Sequence, residues 1–303
     1  MKFPSFEKTR MLTPTSGERL TANPAVVFSL FLLIYSLANL AQGLLFQGIA
    51  DFVAAQWPER MTYAVAMLIQ LGSTLVPIAA ALLYCLLAEK RPLLSLGFSG
   101  RGALREYGMG LFGGVVLFGG AVLLCVVTGT LSVTVAGNTP SWGLLALFFV
   151  GFLIQGMSEE LLCRSYLMVS LSRGWPIQAC AILNAFLFSL LHLGNSNVSV
   201  MALINIFLFG LFASLLTLRR GSIWMVGALH SMWNFAQGNL FGIPVSGIRG
   251  LPSPLISVPA AGGWQEAVNG GAFGLEGGLA VTAILLVACF ALLLWPTNKR
   301  EIP

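Results

Sequence analysis

Residues 142–167 read WGLLALFFVGFLIQGMSEELLCRSYL. Up to Ile154 the run is apolar enough for lipid. Then two adjacent carboxylates arrive, Glu159 and Glu160, with Arg164 behind them. A charged side chain at the centre of a membrane helix costs about 2.5–3.5 kcal/mol on insertion scales. Either this helix lies outside a membrane, or its charges face a bundle interior and serve a function.

The rest of the chain decides for the membrane. Of its 303 residues, 57% are hydrophobic and 9% charged; a soluble domain carries about 25% charged residues. Crossing a bilayer takes roughly 20 apolar residues. Runs of that kind predict eight spans, at 24–50, 62–87, 107–128, 142–168, 176–193, 198–218, 222–241 and 276–295. The runs are continuous rather than alternating, which argues against a β-barrel. Helices also satisfy their own backbone hydrogen bonds, as hydrocarbon requires. The expected fold is therefore an all-α, polytopic bundle of about eight transmembrane helices. Residues 1–21 read as a cytosolic tail rather than a signal peptide, whose apolar core would start sooner. Residues 22–141 hold the N-terminal transmembrane helices and 142–241 a helical core. Residues 276–303 give the last span and a C-terminal tail.

Basic residues orient the chain. With the N-terminus inside, Lys2, Lys8, Arg10, Arg19, Lys90, Arg91, Arg101, Arg105, Arg173, Arg219, Arg220, Lys299 and Arg300 are cytoplasmic. Only Arg60 and Arg249 are outside, and Arg164 lies within a span. That asymmetry follows the positive-inside rule and puts both termini in the cytoplasm. The net charge of +5 then signals orientation and contact with anionic lipid, not nucleic-acid binding. All five cysteines fall in predicted spans, so they read as packing residues rather than a disulfide framework. Gly110 and Gly114 form a GxxxG pair that lets helices approach closely, read here as packing within the chain. Residues 242–275, rich in Gly, Pro and Ser, are either a lid or short re-entrant element or an unstructured outer loop.

Ionisable and amide groups concentrate in the core segment. Its two histidines, the chain's whole complement, are His192 in FSLLHLGN and His230 in ALHSMWNF, with Asn234 following. Histidine is the side chain best suited to moving protons near neutral pH. Glu160 and Arg164 are spaced i, i+4 with the acid first, the favourable order for a helix ion pair. Glu159 is rotated about 100° away, which leaves it available for chemistry. His230 and Asn234 share a face by the same rule, as do Phe188 and His192. Each has a plain alternative: a structural ion pair, a hydrogen-bonded core histidine, an amide joining helices.

Three motifs in this order, Glu159-Glu160-x-x-x-Arg164, Phe188-x-x-x-His192 and His230-x-x-x-Asn234, resemble the CPBP family. These are CAAX-protease and bacteriocin-processing membrane proteins, the Rce1-type prenyl endopeptidases among them. The resemblance covers 150–241; Cys163 and Ser165 stand where prokaryotic members often carry Phe and Gly. It makes 142–241 the expected catalytic core and implies peptide-bond hydrolysis in or beside the membrane. Glu159 with His192 would activate water, and His230 with Asn234 would stabilise the oxyanion. Glu160 and Arg164 would hold the site in shape. The substrate would be a membrane-associated protein or peptide, CAAX-like or other.

No HExxH is present, and adjacent carboxylates beside an Arg are not a usual zinc set. A glutamate-activated water with no obligatory cofactor is expected. Zinc held by Glu159, His192 and His230 is the alternative, since two His and a Glu can bind it and leave a position for water. Two other functions compete: a non-catalytic scaffold or immunity protein, and a proton-coupled transporter. The absence of an inverted repeat counts against the transporter. One expectation fits badly. At 1.5 Å per residue, Glu159 and His230 lie ~13 Å from the cytoplasmic ends of their spans, but His192 lies ~24 Å from its own.

Overall fold

A computed structural model describes residues 11–19 and 21–295. Lys2, Lys8, Arg10, Lys299 and Arg300, counted above toward the topology, lie outside the described residues. Each apolar run folds as helix: α1 (Pro24–Gln56), α2 (Tyr63–Ser73) with α3 (Leu75–Leu83), α4 (Ala103–Val127), α5 (Trp142–Glu160), α7 (Ile177–Leu190), α8 (Val200–Arg220), α9 (Trp224–Phe235) and α11 (Leu279–Leu294). The short α6 (Val169–Leu171) prolongs α5, and α10 (Gly263–Asn269) lies in a connection. Among the described residues, five continuous helical stretches are long and apolar enough to cross a membrane; α7 and α11 are apolar but shorter. The protein is thus a polytopic helical membrane protein.

Local chemistry sets the ends. Asn23, Ser141 and Ser199 accept hydrogen bonds from backbone N–H groups in the first turns of α1, α5 and α8, the role N-cap side chains fill. Helix α8 ends with Arg219 and Arg220 followed by Gly221 at φ 62°, a left-handed position that favours glycine. The break between α2 and α3 sits three residues before Pro77, which has no N–H to give the Ser73 carbonyl its helical hydrogen bond. There the Thr74 hydroxyl donates to the Leu71 carbonyl at 2.6 Å.

Small residues set the helix spacing. A Cβ on Gly110 would stand 2.3 Å from the Met225 carbonyl, and one on Gly114 2.6 Å from the Leu229 carbonyl. The GxxxG pair therefore seats α4 on α9 within the chain. A Cβ on Gly156 would meet Ser231 at 2.5 Å, and one on Gly210 would meet the Ala185 backbone at 3.0 Å. Helices α5 with α9, and α7 with α8, touch at those points.

The depth mismatch resolves at the end of α5 rather than in α7. Residues Leu161–Met168 wind as a π-helix, and helical structure continues to Leu171, past the expected edge at 168. Glu159 thus sits about 18 Å from that end, against about 22 Å for His192 from Ile177. The start of α9 rests on the segment before α4. Ile223 N–H donates to the Gly97 carbonyl at 3.1 Å, and the Ser165 hydroxyl to the Leu96 carbonyl at 2.6 Å. A 3₁₀ turn, Leu93–Leu96, therefore fills the space beneath α9. Arg91 fixes it: the guanidinium is 1% exposed and donates to the Ser95 and Ser165 carbonyls, both at 2.9 Å. Arg91, counted above toward orientation, is buried as an internal tie.

The stretch 242–275 is ordered. Its strand β2 (Leu255–Pro259) pairs antiparallel with β1 (Leu131–Val135), Leu131 opposite Pro259. Asn269, at the end of α10, donates to the Thr130 and Ala260 carbonyls. All five cysteines are free and buried.

Candidate active site

The three motifs meet because α5, α7 and α9 pack together around Phe188. The Arg164 guanidinium lies 4.4 Å from the centre of the Phe188 ring. The same ring sits 4.8 Å from the His192 ring and 6.1 Å, edge-on, from the His230 ring. His192 itself lies in the turn after α7. Its Nδ1–H donates to the Phe188 carbonyl at 2.8 Å, one of the acceptors that a helix C-terminus leaves open. Because a carbonyl only accepts, the proton is on Nδ1, and Nε2 is left for the cavity.

The Gly156–Ser231 contact brings α9 against the carboxylates. Glu160 Oε1 accepts from Arg164 at 3.0 Å and from His230 Nδ1 at 2.8 Å. Arg164 donates its other nitrogen to the Gly210 carbonyl at 3.2 Å. Glu159 approaches the opposite side of the same imidazole, Oε2 lying 3.7 Å from His230 Nε2. Sequence spacing set Glu160 aside for Arg164 and left Glu159 free; in the structure the two carboxylates bracket one histidine. Exposure separates them: the Glu159 side chain is 31% exposed and that of Glu160 is fully buried. Glu159 Oε2 has no hydrogen-bond partner among the described residues.

The sequence reading missed Gln155. One turn before Glu159, its amide donates to Glu159 Oε1 at 2.6 Å, and its carbonyl accepts from Asn234 Nδ2 at 2.9 Å. Gln155 thus joins α5 to α9 and holds one oxygen of Glu159 still. An amide four residues before the first Glu was the available signal, but only the α5–α9 register reveals its second partner.

Glu159, His192, His230, Asn234 and Gln155 line one cavity of ≈ 370 Å³. Its walls come from α1, α2, α5, α7, α8, α9, α11 and the segment after α9. No hydrogen bond joins His192 to Glu159; the two share the cavity without touching. For a metal, the two histidines have suitable chemistry, each with Nδ1 held by an acceptor and Nε2 presented. The grouping does not follow. Among the described residues no three His, Cys, Asp or Glu side chains gather closely enough to hold one ion.

The three motifs thus line one cavity inside a helical membrane bundle. Residues 141–236 match the family model described as type II CAAX prenyl endopeptidase Rce1-like. This bears out the resemblance read from the three motifs, and the match covers all of them. The matched family implies intramembrane endopeptidase activity of the CAAX-protease kind on membrane-associated proteins or peptides. No curated protein matches the chain.

Proposed function

We propose that the protein hydrolyses a peptide bond of a membrane-associated substrate with a water activated by Glu159. The observation that carries this is the cavity: Glu159, His192, His230 and Asn234, from three motifs, all line it. Glu159 is the base because its side chain is the exposed one of the pair, 31% against none for Glu160. The fully buried Glu160 is held through Oε1 by Arg164 and His230.

The steps follow from that placement. Water enters between the Glu159 carboxylate and His192 Nε2 and gives a proton to Glu159. Its oxygen attacks the carbonyl carbon of the scissile bond. The negative charge that develops on the carbonyl oxygen is met by N–H donors from protonated His230 Nε2 and from Asn234 Nδ2. Glu160 and Glu159 supply the compensating charge for His230. The C–N bond breaks as Glu159 passes its proton to the leaving amine. Gln155 acts by positioning, since it holds both Glu159 and Asn234. Glu160 and Arg164 keep His230 and Phe188 in place. The topology with both termini in the cytoplasm belongs to the same reading.

The test uses protein reconstituted in vesicles and a farnesylated peptide ending in a Cys-aliphatic-aliphatic-X sequence, beside its unprenylated twin. Wild-type protein is expected to cleave at least one peptide, and Glu159→Gln neither. A proton-flux measurement on the same vesicles is expected to show no flux. Flux without cleavage would replace the enzyme by a transporter; neither activity would point to a scaffold.

A further inference from the structure

We infer that Gln42 and Gln70, on the wall of the cavity formed by α1 and α2, bind the main-chain amides of the substrate. The inference rests on the peptidase reading above and assigns the residues that hold the polypeptide next to the scissile bond. Both side chains line the catalytic cavity. Gln42 is 8% exposed, and neither amide makes a hydrogen bond to any described residue. That is unusual on membrane helices. Polar groups on membrane-spanning helices are costly and usually face the bundle interior or a water-filled cavity, where they serve function; Gln42 and the half-buried Gln70 both face the catalytic cavity. Other buried amides of the bundle each make at least one hydrogen bond, although Asn184 Oδ1 is itself unpaired: Asn205 donates to the Glu276 and Gly278 carbonyls, and Asn184 to the Ser214 hydroxyl.

The chemistry of the pair selects the ligand. A primary amide offers two N–H donors and one carbonyl acceptor, the complement of a peptide unit, which has one of each. Two such groups on adjoining helices, with no charge between them, suit an extended main chain. They suit neither an anionic headgroup nor a hydrocarbon tail. An extended segment carries a row of unpaired N–H and C=O groups, which would need partners on entering an apolar cavity. Gln42 and Gln70 supply them on α1 and α2, while the reacting groups come from α5, α7 and α9.

The experiment measures binding of the farnesylated peptide to full-length Glu159→Gln protein in detergent, so that turnover does not interfere. Gln42→Leu and Gln70→Leu are made on that background, and melting temperature is read on every sample. A second peptide series replaces single backbone N–H groups near the scissile bond with ester oxygen. Each Leu variant is expected to weaken binding roughly fivefold to tenfold, the worth of one neutral hydrogen bond. Its melting temperature should hold or rise, because an unpaired amide is replaced by an apolar side chain. At one or two positions the ester should weaken binding to the parent but not to the matching Leu variant, the mark of a direct contact. Unchanged binding in both Leu variants overturns the inference, as does a fall in melting temperature with an undiminished ester penalty. Failure of the parent to bind the peptide overturns it too. If the parent binds with the expected ester pattern while wild-type protein does not cleave, the peptidase reading fails and the subsite stands.

Discussion

Glu159 and Glu160 are neighbours in sequence and opposites in circumstance. Glu160 is buried against Arg164 and His230; Glu159 reaches the cavity. Arg164→Ala would strip Glu160 of its guanidinium and Phe188 of a stacked cation. Breaking a buried pair on one side costs about 3–5 kcal/mol, so thermal unfolding and expression should both fall, with activity following. Activity lost at unchanged stability would give Arg164 a direct role in chemistry or substrate binding. Asn234→Ala should leave residual cleavage, because His230 remains as a donor; loss of one such donor costs roughly 10²–10³ in rate. The pairing of Glu160 with Arg164 was legible, since spacing along one helix shows it. The bond between Glu160 and His230 was not, because no spacing within α5 or α9 reports the register between them. Gln155 stayed hidden for the same reason, and Gln42 because an amide on a lipid-length helix reads as incidental until its missing partner is known.

At the scale of elements, the site depends on how closely three helix pairs approach. Gly156 is the critical point: a Cβ there would lie 2.5–2.9 Å from the hydroxyl, nitrogen and Cα of Ser231. Overpacking typically costs about 1–3 kcal/mol. Gly156→Ala should therefore lower the melting temperature and, by pushing α9 outward, lengthen the contact of His230 with Glu160 and cut cleavage. Gly143→Ala on the same helix meets nothing within 4 Å and serves as the control. Equal behaviour of the two variants, read by melting temperature and cleavage rate, would contradict this reading of the interface. The Gly110–Gly114 contact was legible from its spacing. The π-helical stretch Leu161–Met168 was not, since local composition there is ordinary helix former. Within it the Ser165 carbonyl accepts from Arg91. π-Turns inside helices recur at functional sites.

For the whole molecule, the class of fold was plain from composition and the long apolar runs, because hydrocarbon permits so few backbone arrangements. The order within residues 242–275 was not plain. It comes from pairing with a strand more than a hundred residues earlier in the chain, which glycine and proline content cannot announce. The convergence of the motifs was half legible: helical periodicity showed which residues share a face, but the seating of α9 against the Leu93–Leu96 turn needed the packed bundle. The central claim is that this bundle hydrolyses peptide bonds with a water activated by Glu159. The measurement that tests it most directly is the cleavage rate of the reconstituted protein after exhaustive chelation, with Glu159→Gln run alongside and metal content determined on the same samples. The account predicts that chelated wild-type protein keeps its rate and that Glu159→Gln, still folded, loses roughly 10²–10⁴ of it, the range general-base catalysis supplies. Stoichiometric zinc in the active protein, loss of cleavage on its removal and recovery on its return would contradict the account and make Glu159, His192 and His230 metal ligands.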